Sequence, residues 1–283
     1  MSDDGSKKAV TLSTLRRMAA AGEKFAMLTC YDATTAGHLA GAGVEALLVG
    51  DSAAQVILGF ERSIHAPLGF MIELTAAVKR GAPGCFVVAD MPFMSYQADV
   101  AEGVRNAGRF MVEGGADAVK VEVGPRDARL VSRMSDAGVA VVAHIGWRPQ
   151  QSSRAGVRTA KVAGRTAREA EGLRDLAQLM EASGAAMLLI EQCPASAGEY
   201  VKRHVGAPVI GCGAGPACDG QVVVLQDLLG MSERSPSFAP RLAEGGRWLA
   251  EAAGRWVEMV HAGEVGRDLR YEMEPGESNK LKG

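Results

Sequence analysis

The stretch DAVKVEVG, residues 117–124, carries the most direct information on the fold. It is short, rich in valine and almost continuously apolar, which is typical of a strand covered on both faces in a parallel sheet. Side chains alternate between the two faces of a strand, so Lys120 and Glu122 share one face while Val119 and Val121 share the other. The valines are expected to pack against helices, and the two charged side chains point away from them.

Seven further runs resemble this one, and segments with helical spacing of apolar residues separate them: FAMLTCYD (25–32), EALLVGDS (45–52), CFVVADMP (85–92), VAVVAHIG (139–146), AMLLIEQC (186–193), PVIGCGAG (208–215) and QVVVLQD (221–227). Eight strands alternating with helices predict an α/β fold and favour a single (β/α)8 TIM barrel over an open doubly wound sheet. We expect one domain over residues 1–283, with the barrel core at about 12–262.

The two ends of the chain and one internal segment lie outside this alternation. The N-terminus is polar and the tail after Gly263 is charged. Residues 147–165 are rich in Gly, Ser and Arg and predict a long loop over the active face. An apolar stripe near the end predicts an additional C-terminal helix that covers the barrel or contacts another subunit: Leu249, Ala253, Trp256, Val257 and Val260.

The composition argues against several classes of protein. With 31 Lys and Arg against 33 Asp and Glu, a net charge of -2 and 5% aromatic residues, the chain is not expected to bind nucleic acid. No apolar segment is long enough for a membrane span, and no signal peptide is evident, so we expect no membrane partner. Five cysteines without a C-x-x-C pair argue against a disulfide framework and for a reduced, cytoplasmic protein.

Acidic residues stand at or near the ends of four predicted strands: Asp51, Asp90, Glu122 and Glu191. Because barrel enzymes place their chemistry at the carboxyl ends of the strands, we expect these acids to converge there with Lys120 and His144. Close carboxylates repel one another unless cations or protons compensate them, and hard oxygen ligands indicate Mg²⁺ rather than zinc. Alternatively, each acid caps the helix that follows, and His144 donates to a backbone carbonyl.

Motifs in a fixed order from about Leu12 to Trp256 give a more specific indication: TCYDATTA (29–36), LLVGDS (47–52), KRGAP (79–83), ADMPFMSY (89–96), GGADAVKVE (114–122), HIG with PQ (144–150), LLIE (188–191) and IGCGAGPACDGQ (210–221). In these motifs the sequence resembles the ketopantoate hydroxymethyltransferase family. The resemblance implies a (β/α)8 barrel related to the phosphoenolpyruvate mutase and isocitrate lyase group. Members of the family commonly assemble as decamers, so a homo-oligomer is implied.

The resemblance also implies an activity and roles for individual residues. The reaction is transfer of a hydroxymethyl group from 5,10-methylenetetrahydrofolate to 3-methyl-2-oxobutanoate through an enolate stabilised by Mg²⁺, giving 2-dehydropantoate for pantothenate biosynthesis. By position, Asp51, Asp90 and Glu122 resemble the Mg²⁺-associated acids, and Glu191 resembles the general base. The 2-oxoacid is expected to contact five residues: Asp51, Ser52, Asp90, Lys120 and His144.

Four residues depart from the usual family pattern. His65 stands in FERSIHAPL, Trp147 and Arg148 follow HIG, and Gln226 occupies a position where histidine is usual. Trp147 and Arg148 follow a strand end, so they are expected to narrow the mouth of the barrel or to add a cation near the substrate. Two alternatives therefore remain: an Mg²⁺-dependent enolate-forming transferase or lyase acting on another 2-oxoacid, and a non-catalytic assembly barrel.

Overall fold

The computed structural model describes residues 8–151, 161–233, 235–267 and 270–281. Eight parallel strands hydrogen-bond in chain order, and β8 pairs with β1 to close a barrel. The strands are β1 (Phe25–Thr29), β2 (Ala46–Val49), β3 (Phe86–Asp90), β4 (Ala118–Glu122), β5 (Val141–Gly146), β6 (Met187–Glu191), β7 (Val209–Cys212) and β8 (Gly220–Val223). Each lies within or next to a run predicted from the sequence, and the (β/α)8 barrel is confirmed.

One helix precedes β1, helices connect the strands from β1 to β7, and two more follow β8; within the described residues no helix lies between β7 and β8. Their bounds are α1 (Leu12–Ala21), α2 (Ala33–Gly41), α3 (Ala53–Val56), α4 (Leu68–Gly81), α5 (Val100–Val112), α6 (Ala128–Asp136), α7 (Ala167–Ala182), α8 (Ala195–Lys202), α9 (Leu225–Leu228) and α10 (Gly245–His261). Polar caps mark several starts: the side chains of Asp32, Asp99 and Thr166 each accept a backbone N–H at the first turn.

Alternation along the strands divides the core into two layers. Val119 and Val121 of β4 belong to the outer layer between the strands and the helices. Ala118 of the same strand lies in the inner layer, where the side chains fill the barrel. Leu15 of α1 is fully buried in this inner layer, so α1 closes the amino-terminal end of the barrel. The carboxyl ends of the strands remain accessible from the opposite side.

The additional C-terminal helix is confirmed, but it does not cover the barrel. α10 contains no buried residue, and Leu249 and Trp256 are 63% and 56% exposed. Of the predicted loop over 147–165, residues 152–160 lie outside the described part of the chain. Within the described residues, no helix has the length and apolarity that a membrane crossing requires.

Candidate active site

The strand ends bring every sequence-predicted site residue to one cavity of about 610 Å³. Asp90 and Glu191 end β3 and β6, while Asp51 and Ser52 follow β2 by a single turn. The alternation predicted for β4 is confirmed, because its two charged side chains face inward while the valines between them face the helices. Seven predicted residues line the cavity: Asp51, Ser52, Asp90, Lys120, Glu122, His144 and Glu191.

Asp90 occupies the centre of the acidic cluster. Its Oδ2 accepts a hydrogen bond of 2.9 Å from the backbone N–H of Asp51. Lys120 Nζ lies 2.9 Å from Oδ1, although this oxygen accepts no well-oriented hydrogen bond. The strand-end acids do not cap the helices that follow, because the N-cap positions of α3, α5, α6 and α8 belong to Ser52, Asp99, Asp127 and Pro194. The lysine beside Asp90 offsets part of the negative charge of the acids.

The clustered charges shift the pKa values of their neighbours. Burial raises the pKa of Asp90 to about 6, because the attraction of Lys120 does not fully offset desolvation and the repulsion of Asp51. Burial, together with the negative charge of Asp51, also raises the pKa of Glu122 well above its ordinary value. Burial alone would lower the pKa of Lys120, but the surrounding carboxylates outweigh burial and raise it. The cavity thus holds a fixed cation among acids that carry unrelieved repulsion.

His144 stands between the lysine and the predicted base. Its Nδ1 lies 3.3 Å from Lys120 Nζ, and its Nε2 lies 3.3 Å from Glu191 Oε2 without the geometry of a hydrogen bond. Burial and the charge of Lys120 lower the pKa of His144 well below its ordinary value, so the ring is neutral. A lysine ammonium is only a donor, which assigns Nδ1 as acceptor and leaves the ring proton on Nε2.

Glu191, the residue that resembles the general base, lies at the end of β6. Burial raises the pKa of Glu191 to about 7. The positive charge of Lys120 offsets part of this rise, and the negative charge of Asp51 adds to it. Its position depends on a close approach of two strands, since a Cβ at Gly146 would collide with the carbonyl oxygen of Glu191. The next residue, Gln192, has φ 48°, which is unfavourable for a side chain other than glycine. Such local strain is characteristic of functional sites.

Gln150, a buried residue in the loop after β5, holds the acids together, although the sequence analysis assigned no role to it. Its backbone N–H lies 3.1 and 3.2 Å from the two carboxylate oxygens of Glu122. Its side-chain Nε2 donates to Asp51 Oδ2 at 3.0 Å, and its Oε1 accepts from the Tyr96 hydroxyl at 2.9 Å. Tyr96 in turn accepts from the backbone N–H of Glu122 at 3.0 Å. The only sequence signal was the PQ pair of the family motif.

The residues that depart from the family pattern occupy different places. Trp147 and Arg148 do not line the site cavity, so the structure gives no support to the expectation that they narrow its mouth. They line a neighbouring cavity of about 1060 Å³, and Arg148 Nη1 donates to the carbonyl of Val123 at 2.8 Å. The expectation of a cation near the site has support, because the positive charge of Arg148, after burial and Lys120, contributes to the lowered pKa of His144. His65 is exposed and packs on Phe60, with ring centroids 4.9 Å apart. Gln226 alone lines the site cavity.

The donor set fits a divalent cation with oxygen ligands. Among the residues that the structure describes, no three His, Cys, Asp or Glu side chains form a group that could hold a metal ion by themselves. Mg²⁺ does not require one, because it is commonly bound by one or two carboxylates and completes its shell with substrate oxygens and water. Asp51 and Asp90 provide such carboxylates, and a bound cation would offset both the burial and the repulsion by Asp51 that raise the pKa of Asp90.

Known proteins resemble this chain in sequence and in fold. A family model described as ketopantoate hydroxymethyltransferase matches residues 9–267. The 3-methyl-2-oxobutanoate hydroxymethyltransferases of Geotalea daltonii and Syntrophus aciditrophicus are 41% and 42% identical, covering 91% and 93% of this chain and 96% of each relative. A 2,3-dimethylmalate lyase of the PEP mutase/isocitrate lyase superfamily shares the fold, with a TM-score of 0.58, 16% identity and 98% coverage of both chains. Matched over most of its length, the chain belongs to the ketopantoate hydroxymethyltransferase family of enzymes.

Proposed function

We propose that the chain transfers a hydroxymethyl group from 5,10-methylenetetrahydrofolate to 3-methyl-2-oxobutanoate, forming 2-dehydropantoate. The names of the relatives support the reaction, and one observation supports the chemistry at this site. Glu191 lines the cavity opposite a fixed lysine, and burial raises its pKa to about 7. A carboxyl group with a pKa near neutral is suited to removing a proton from carbon, because it is both ionised and basic enough at working pH.

Three kinds of side chain suit the oxoacid. Lys120 supplies a positive charge for its carboxylate, and the neutral His144 ring supplies a donor from Nε2. Apolar side chains from the inner layer of the barrel also line the cavity and suit the branched alkyl group: Leu48, Leu189 and Val222. Asp51 and Asp90 would hold Mg²⁺, which when bound withdraws electron density from the oxoacid carbonyl.

The residues of the chain then account for the proton transfer. Glu191 takes the C3 proton of the oxoacid, and the electron pair of the broken C–H bond moves into the enolate. The enolate carbon attacks the one-carbon unit of the folate. A new C–C bond forms, the C–N bonds to the folate break, and water supplies the hydroxyl oxygen. Tetrahydrofolate leaves, so atoms and electrons balance without an external oxidant or reductant.

Exchange of the C3 hydrogen with solvent tests the proposal at its first step. Proton NMR in deuterium oxide follows enzyme, Mg²⁺ and 3-methyl-2-oxobutanoate without folate. Wild type should exchange the hydrogen, and Glu191→Gln, which keeps the shape but not the base, should be slower by at least ~10²-fold. Absence of exchange with any 2-oxoacid, in folded protein with metal bound, would overturn the assignment of Glu191.

Addition of 5,10-methylenetetrahydrofolate tests the second step. Formation of 2-dehydropantoate is expected, at a rate that Glu191→Gln lowers and that Glu73→Gln, an exposed change on α4, does not. Exchange without this product would refute the folate reaction and point to the alternative, an enzyme that uses another electrophile or another 2-oxoacid.

A further inference from the structure

Ser52 carries the one hydroxyl among the residues predicted to contact the oxoacid, and this hydroxyl does not serve its own helix. A serine at the start of a helix commonly accepts a backbone N–H of the first turn with its Oγ. Ser52 stands at the N-cap of α3, but its φ of -54° and ψ of -16° are helical, and its side chain makes no capping hydrogen bond. Ser52 is half-buried and lines the site cavity, so its hydroxyl is available to a partner outside the helix.

That partner is Tyr31, a residue to which the sequence analysis assigned no role. Tyr31 Oη lies 2.8 Å from Ser52 Oγ, in a hydrogen bond for which either atom can be the donor. Tyr31 follows β1 and Ser52 follows β2, and these strands pair with each other, so the bond joins the ends of two adjacent strands. Gly50 leaves room for the Ser52 hydroxyl, since a Cβ at that position would lie 2.7 Å from Ser52 Oγ.

The phenol of Tyr31 is fixed in place and keeps its proton. Its ring is buried in the outer core layer between the strands and the helices. Burial raises the pKa of Tyr31 above its ordinary value of 10, although the hydrogen bond to Ser52 opposes part of the rise. Tyr31 is not among the residues that line the site cavity, so it reaches a ligand there only through Ser52.

The number of protons sets the direction of the hydrogen bonds once an oxoacid is bound. Each hydroxyl has one proton to donate, and a carboxylate only accepts. When Ser52 gives its proton to the oxoacid carboxylate, the bond between the two side chains can use only the proton of Tyr31. The order of donation is then from Tyr31 to Ser52 and from Ser52 to the carboxylate. A hydrogen bond received by a hydroxyl polarises it and strengthens the bond that it donates.

We propose that Tyr31 is a positioning residue for oxoacid binding, which holds Ser52 Oγ at the cavity and directs its proton toward the carboxylate of the ligand. This inference rests on the proposed function, because it takes a 2-oxoacid as the ligand, and it adds a residue that acts without touching the substrate. The carboxylate is bound in the ground state and in the transition state alike. Loss of the Tyr31 hydroxyl should therefore weaken binding and leave the rate of the bound complex nearly unchanged.

Tyr31→Phe tests the proposal, because it removes the hydroxyl and keeps the ring in the core. Calorimetry with 3-methyl-2-oxobutanoate at saturating Mg²⁺ should show a Kd raised by about 3- to 10-fold, as for loss of one hydrogen bond. Deuterium exchange without folate should show the same rise in KM, with a maximal rate within about twofold of wild type. The matched control is Tyr200→Phe on α8, outside the cavity, which removes a phenol hydroxyl that accepts from Arg174 Nη1 at 2.6 Å. The control should leave Kd, KM and the maximal rate unchanged.

A double-mutant cycle separates positioning through Ser52 from a structural role of Tyr31. Ser52→Ala should weaken oxoacid binding by itself, and adding Tyr31→Phe should then change Kd by less than about twofold, because the path through Ser52 is already lost. Equal losses from Tyr31→Phe with and without Ser52 would overturn the inference, and so would a Kd for Tyr31→Phe equal to that of wild type. A loss confined to the maximal exchange rate would also overturn it.

Failure of the proposed function gives a different pattern of results. If wild type binds the oxoacid but forms no 2-dehydropantoate with the folate, the transfer reaction is refuted, while coupling of Tyr31 and Ser52 in Kd still supports the positioning role. Product formation by wild type without such coupling refutes the role of Tyr31 alone. If folded wild type with metal bound takes up no 2-oxoacid, both are overturned.

Discussion

Replacing Glu191 by glutamine is expected to make the metal-free protein more stable near neutral pH, although it removes the proposed base. Burial raises the pKa of Glu191 from 4.5 to about 7. In this pH interval the folded state binds more protons than the unfolded state, so ionisation of Glu191 weakens the fold as pH rises. Each unit of difference between the two pKa values costs ~1.4 kcal/mol of folding stability once Glu191 is ionised, so the whole difference costs about 3 kcal/mol. Glutamine does not ionise and avoids this cost.

Urea unfolding of metal-free wild type and Glu191→Gln at about pH 4.5 and about pH 8 measures the effect. The variant should gain about 3 kcal/mol relative to wild type between the lower and the higher pH. Glu73→Gln, exposed on α4, serves as the control and should show no such gain. If the difference between Glu191→Gln and wild type stays constant across this range, the carboxyl group is not held in a desolvated, repulsive environment. The argument for Glu191 as a base near neutral pH would then fail.

Three further outcomes are expected. Asp90→Asn should weaken Mg²⁺ binding in the presence of the oxoacid by at least ~10-fold in calorimetry, and equal binding would remove Asp90 from the metal site. Gln150→Leu should lower the free energy of unfolding by about 2–4 kcal/mol in denaturant titration, since it leaves buried partners unpaired; an unchanged value would contradict the network. Leu249→Arg and Trp256→Arg place charges on the exposed apolar face of α10. The two changes together should break subunit contacts on this face and so reduce the mass of the assembly measured by sedimentation. A mass unchanged from wild type would refute a homo-oligomer built on this face.

The fold could be predicted from the sequence because its signals are local. Each strand is a short apolar run, and β4 with its alternating charges shows which face meets the helices. The strand-end acids could be predicted for the same reason, since barrel topology places all carboxyl ends of the strands at one mouth. Lys120 and Glu122 needed only the two-residue periodicity of a strand to be placed inside the barrel.

Residues in the connecting segments could not be placed in this way. Gln150 lies in a short 3-10 turn, where no periodicity shows the direction of its side chain, and yet it contacts both Asp51 and Glu122. Trp147 and Arg148 follow a strand end as Asp51 does, but the chain turns them toward the neighbouring cavity. The apolar stripe of α10 identified a helix correctly, but it could not show whether the barrel or another surface covers that face.

The register of the barrel explains why these particular side chains meet. Asp90 pairs with Lys120 across β3 and β4, and Glu122 pairs with His144 across β4 and β5. Two residues before Asp90, Lys120 and His144, the inner face carries only apolar side chains, Val88, Ala118 and Val142. The charges are thus confined to the upper layer, where a ligand reaches them from the mouth. A shift of β4 by one residue would turn both of its charged side chains against the helices and expose valines to the site. Because such burial of unpaired charge is costly, the register that assembles the site is also the one that folding favours.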